Sequence, residues 1–145
     1  MTLIIAVDPG HSKCGLLIAE PAAGRVLAGN VVAAAAVIDV IQTWQQKAPV
    51  QTLLLGNGTG SSYWLQQLSP LAPVELVEER GSTLRARSRY WEIWPPQGWQ
   101  RLLPRGLLKP PGALDALAAL VIMEDHLQRQ LNWSGPPEFR TSPSL

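Results

Sequence analysis

Three acidic positions carry the chain's strongest chemical signal. Asp8 closes the apolar run Leu3 to Val7 and is followed by Pro9-Gly10. Glu79, with Glu78 beside it, follows the run Val74 to Val77, and Asp115 opens a long apolar periodicity near the C-terminus. No cluster of cysteine and histidine has zinc-ligand spacing. A carboxylate-only donor set selects hard, oxygen-loving cations, Mg2+ or Mn2+. Two such ions, about 3.5–4 Å apart, activate water and stabilise a leaving oxygen in phosphodiester hydrolysis. Each acid also has a plain structural reading: a turn residue at Asp8, a solvated strand end at Glu78-Glu79, and a helix-start acid serving the macrodipole at Asp115. The combination is what points to metal.

For the three to act together, the chain must bring them to one edge. Residues 3–8 read as a buried central strand, and residues 14–20 and 25–32 as two more, with breakers from Pro21 to Gly24 between them. That predicts an antiparallel meander with the first strand at or near the centre. Val37, Ile38, Val40, Ile41 and Trp44 have helical spacing within 34–47, and Pro49 ends the helix. Thr52 to Leu55 is the next strand; after Gly56-Asn57-Gly58, a cap at Thr59, Ser61 or Ser62 starts a helix to about Leu68. Val74 to Val77 is the fifth strand, and Arg80 to Thr83 begins a helix. A closing helix spans about Gly112 to Leu131, with Leu114, Leu117, Ala118, Val121, Ile122 and Leu127 on one face. The order predicts an α/β fold with a mixed five-stranded sheet, three antiparallel strands then parallel βα units, and helices on both faces. Parallel strands one, four and five open their C-terminal ends onto one crevice, where such sheets place ligands.

Composition fits one domain over residues 1–131, followed by a flexible tail over 132–145 that is rich in proline and serine and can dock through Trp133 or Phe139. Hydrophobic residues make up 46% and charged residues 16%, which argues against disorder over most of the chain. Cys14 is the only cysteine and reads as a small buried residue, so an intrachain disulfide is excluded. No apolar run reaches the roughly 18 residues of a membrane span, and no basic signal region opens the chain, so a cytoplasmic location is expected.

The net charge of +1 does not by itself announce a nucleic-acid partner, and the distribution says more than the sum. Arg80, Arg85, Arg87, Arg89, Arg101, Arg105 and Lys109 share one segment with a single acid, Glu92. That segment is a candidate phosphate-facing surface. Its prolines, Pro95, Pro96, Pro104, Pro110 and Pro111, predict irregular structure. Trp91, Trp94 and Trp99 suit either stacking on unpaired bases or packing of this segment, whereas Trp44 and Trp64 read as core. Gly56 to Gly60 lacks the Lys-Ser/Thr of a nucleotide-triphosphate loop and reads as a turn. His11 either touches substrate or decorates its turn, and His126 reads as structural.

Ile5 to Gly15, containing Asp8-Pro9-Gly10, resembles the opening strand and turn of the RuvC and YqgF nuclease families. Val77 to Arg87 is similar to the YqgF segment in which Asp-Glu-Arg precedes Ser-Thr and a helix, with Glu78 in place of the usual aspartate. Leu114 to Ile122 resembles the start of the family's last helix, and Gly56 to Thr59 the YqgF-like domain of Tex proteins. The resemblance spans about residues 3–128. It implies a ribonuclease H-like fold and a Mg2+- or Mn2+-dependent nuclease, with Asp8, Glu79 and Asp115 as catalytic metal ligands, acting on a DNA junction or structured RNA as monomer or homodimer. It equally accommodates a nucleic-acid-binding module of the same fold with little or no catalysis.

Overall fold

Alternation within the first strand decides the layering. In β1 (Leu3–Asp8), Leu3, Ile5 and Val7 enter one apolar cluster while Ile4 and Ala6 enter another on the opposite face. A strand buried on both faces must be covered on both. The computed structural model describes residues 2–58, 60–79, 82–96, 98–104, 114–133 and 138–140. β2 (Lys13–Glu20) pairs antiparallel with β1, and β3 (Arg25–Ala33) antiparallel with β2, forming the expected meander with β2 in its middle.

A 3-10 turn at Ala34–Ala36 leads into α1 (Val37–Lys47), whose buried Val37, Val40, Ile41 and Trp44 repeat at helical spacing. The helix ends before Pro49, as expected from proline's missing N–H. β4 (Val50–Gly56) runs parallel to β1, α2 (Ser61–Leu68) follows, and β5 (Val74–Val77) runs parallel to β4. α3 (Ser82–Ile93), a 3-10 helix at Gly98–Leu102 and α4 (Asp115–Leu127) complete the helices. The five expected strands thus form a mixed sheet with helices on both faces, in the order β5-β4-β1-β2-β3. α1 and α2 cover the face of Leu3, Ile5 and Val7, and α3 and α4 the face of Ile4 and Ala6. β1 lies among the central strands. No helix among the described residues is long and apolar enough to cross a membrane.

The segment expected to be a flexible tail is in part seated on the sheet. Asn132 bridges to Arg25, and β6 (Glu138–Arg140) pairs parallel with β3 as a sixth strand. Trp133 accounts for the anchoring. Its indole lies edge-on to Trp94 with ring centroids 5.3 Å apart, and it occupies the space over Gly29 that any Cβ there would claim. Burial of an aromatic ring offsets the ordering of a short segment.

α3 and α4 are held by arginines. The Arg89 guanidinium donates to both carboxylate oxygens of Glu124, at 2.9 Å each, and to the Leu131 carbonyl at 3.1 Å; Glu124 also accepts from the Leu131 amide at 2.8 Å. Both side chains of the pair are almost buried. Arg85 makes a bidentate pair with Asp125 in a more exposed position. Removing one partner of a buried pair strands the other, whereas an exposed pair contributes little. Arg89→Ala is therefore expected to destabilise the protein by about 3–5 kcal/mol and Arg85→Ala by at most about 1 kcal/mol. Urea denaturation measures both, and equal effects would contradict the assignment of Arg89 as the structural tie.

Candidate carboxylate site

Strand direction brings the acids together. β1, β4 and β5 are mutually parallel, so Asp8 at the end of β1, Gly56 at the end of β4 and the Glu78-Glu79 segment after β5 lie along one sheet edge. Asp8 pairs in register with Gly15 of β2. A Cβ at Gly15 would collide with the backbone carbonyl of Asp115, so the bare backbone of β2 is what lets the first residue of α4 come down beside Asp8. On the other flank, Cβ atoms at Gly56 or Gly58 would collide with the Glu79 carboxylate. Two glycines at the end of β4 thus form the bed on which Glu79 lies. Asn57 between them fixes its approach. The Asn57 side-chain oxygen accepts the Glu79 amide at 3.2 Å, and the Asn57 amide donates to the Val77 carbonyl at 3.0 Å.

The electrostatics follow from this crowding. Burial, a hydrogen bond with Glu79 and the negative charges of Glu79 and Asp115 together raise the Asp8 carboxyl from its ordinary 3.8 to about 8. Asp8 therefore feels both other acids, and at neutral pH it keeps a proton unless positive charge replaces it. Glu79 Oε1 and Asp115 Oδ2 are buried oxygens with no hydrogen-bond donor. Lys13 Nζ lies 3.5 Å from Asp115 Oδ2, close enough to attract it, yet without hydrogen-bond geometry. Acceptor oxygens lacking donors around a protonated acid form a donor set suited to a hard cation. Among the described residues, no three His, Cys, Asp or Glu side chains are grouped so that they could hold a metal ion as they stand. The acids converge without closing.

The remaining candidates divide. Arg89 and Arg85, expected at a nucleic-acid surface, instead tie α3 to α4, because acids on the facing helix engage them. Arg87 is half-buried with its Nε unpartnered, and Arg101 is exposed on the 3-10 helix. Arg80, Arg105 and Lys109, like the Thr59 cap, lie outside the described residues. Trp91 is buried and Trp94 packs on Tyr90 and Trp133, whereas Trp99 is 71% exposed. Trp44 and Trp64 are core residues, as expected. Cys14 is buried on β2, and its thiol is pushed up to about 11, chiefly by burial. His11 is exposed, and His126 lies 3.8 Å from Glu75. Sequence reasoning missed Lys13, Gly15 and Asn57. The usable signal was the hairpin register, which sets the residues just beyond the Pro9-Gly10 turn against Asp8.

No family model matches the chain, and no curated protein matches it. Similarity appears among solved structures. Thermus thermophilus RuvC superposes with a TM-score of 0.50 at 13% identity, over 89% of this chain and 98% of that one. T. thermophilus RuvC in complex with Holliday junction substrate gives 0.46 at 14% identity, over 82% and 90%. At such identity the likeness is one of fold: this chain has the architecture of RuvC, a ribonuclease H-like α/β fold.

Proposed function

We propose that the chain is a metal-dependent nuclease of the YqgF and RuvC type, hydrolysing phosphodiester bonds in structured nucleic acid, either a DNA junction or folded RNA. The observation that carries this reading is the convergence of Asp8, Glu79 and Asp115 with two buried oxygens lacking donors. Asp8, Glu79 and Asp115 would hold Mg2+ or Mn2+, which when bound supplies an activated water and stabilises the departing oxygen. The chain's own part is positional. Asp8 stands between the other two acids. Gly15 and the glycine bed of β4 admit Asp115 and Glu79 to it, Asn57 orients Glu79, and Lys13 places positive charge where a phosphate would otherwise meet only carboxylates.

The competing reading is a nucleic-acid-binding module of the same fold that catalyses poorly. Its support is the lack of a closed three-acid cage among the described residues. Calorimetric titration with Mn2+ separates the two. The nuclease reading expects binding that releases protons and strengthens as pH rises toward 8, because the cation must displace the Asp8 proton. No binding by the wild-type chain, with nucleic-acid affinity retained, would favour the module.

Two outcomes test the role of Asp8. Asp8→Asn should reduce Mg2+-dependent cleavage of junctions, flaps and structured RNA by at least about 100-fold while leaving the protein folded; undiminished cleavage would falsify the assignment. Stability gives an independent readout. The folded state holds the Asp8 proton more tightly than the unfolded chain does, so this stabilisation is full below about pH 4 and is lost as pH rises through about 8. Metal-free wild type should therefore lose melting temperature over that window relative to Asp8→Asn, and Mn2+ should restore it. Parallel melting curves for the two proteins would contradict the crowding of the three acids.

A further inference from the structure

The charges at the carboxylate site are not placed symmetrically. Asp8 and Glu79 are joined by a hydrogen bond, so that side of the site holds a proton. On the other side Asp115 faces an ammonium, with Lys13 Nζ standing 3.5 Å from Asp115 Oδ2. Strand register makes this contact. Lys13 opens β2, paired with Ala33 of β3, and alternation puts its side chain on the same face as Gly15, two residues on. That is the face on which the Asp115 carbonyl lies against Gly15, so the bare backbone that admits α4 to Asp8 also brings Asp115 to Lys13.

An exposed Lys–Asp pair contributes little to stability, and the Lys13 side chain is 46% exposed. Its position matters more than its strength. Asp115 Oδ2 is buried without a hydrogen-bond donor, and Lys13 gives it positive charge but no hydrogen bond. A Mg2+–oxygen contact is about 2.0–2.1 Å long. An ion taking Oδ2 would therefore stand close to Nζ, a divalent charge against an ammonium. The charge balance points the same way: three carboxylates and one ammonium leave two negative charges, which a single divalent cation neutralises and a second would overshoot. In a two-ion site the second cation helps to stabilise the leaving oxygen. Here a side chain already holds positive charge beside Asp115.

We propose that Lys13 stands in for the second cation of the site, so that the chain takes a single divalent ion among Asp8, Glu79 and Asp115. The proposal rests on the nuclease reading and changes its stoichiometry from the two ions that a carboxylate-only donor set suggests. Lys13 acts on the metal site through Asp115 and is a positioning residue in that sense.

Counting bound ions tests this without turnover. The full chain is titrated with Mn2+ at pH 8, and the free ion is read from its electron paramagnetic resonance signal. Wild type and Lys13→Arg should saturate at one Mn2+ per chain. The neutral variants Lys13→Met and Lys13→Gln should take a second, and adding Asp115→Asn to either should remove it again. Two ions in the wild type, or no second ion in either neutral variant, overturns the proposal and leaves the nuclease reading standing. No ion in the wild type overturns both. The expected counts, together with no metal-dependent cleavage of junctions, flaps or structured RNA by the wild type, reject the nuclease reading alone.

Discussion

Like-charge crowding at one sheet edge is the constraint on which the structure around the site depends. Three carboxylates are brought within mutual influence, and their repulsion is relieved only in part, by a proton held on Asp8 and by Lys13 at 3.5 Å from Asp115. Such an arrangement is unfavourable for folding and persists only where the rest of the domain over-determines it. The over-determination is visible. β1 is buried on both faces, α4 is seated through eight consecutive buried residues from Ala116 to Met123, and the glycines at 15, 56 and 58 remove the side chains that would keep the acids apart.

The α3–α4 pair shows the same logic in the opposite sense. Arg89 and Glu124 are nearly buried, but each is satisfied: the guanidinium reaches carboxylate and carbonyl, and the carboxylate also takes the Leu131 amide. A buried pair completed in this way fixes how α4 lies on the sheet and anchors the chain just past its end. The positive segment seen in the sequence is thus partly spent inside the protein. Counting arginines along the chain could not reveal this, since their neutralising partners, Glu124 and Asp125, are more than 30 residues away.

Strand order and helix placement were legible because the relevant signals are local. Apolar runs ending at Asp8, Gly56 and Val77 mark parallel strand ends, and the spacing of Val37, Val40, Ile41 and Trp44 marks α1. The three acids were legible for the same reason, each sitting at an element boundary. Less legible was everything set by close approach. Gly56-Asn57-Gly58 looked like an ordinary turn, yet its glycines form the bed of Glu79 and its asparagine orients that residue. Trp133 was legible as a residue through which the tail can dock, but its seat was not, because nothing in its neighbourhood shows that Gly29, about 100 residues earlier, leaves a slot for it.

The turn after Asp8 joins these observations. Pro9-Gly10 ends β1, its glycine carbonyl receives the Trp64 indole from α2, and its far side carries Lys13 and Gly15 into β2 beneath Asp115. A displacement of this turn would therefore move the central acid and the cation beside Asp115 together. Elements from both faces of the sheet lock it: α2 on one side and the start of α4 on the other. Carboxylates that come from three separate elements need such a common reference, because misplacement of about 1 Å is enough to weaken oriented chemistry by two orders of magnitude. In this fold the reference is the Asp8 turn, and the two-sided burial of β1 is what holds it still.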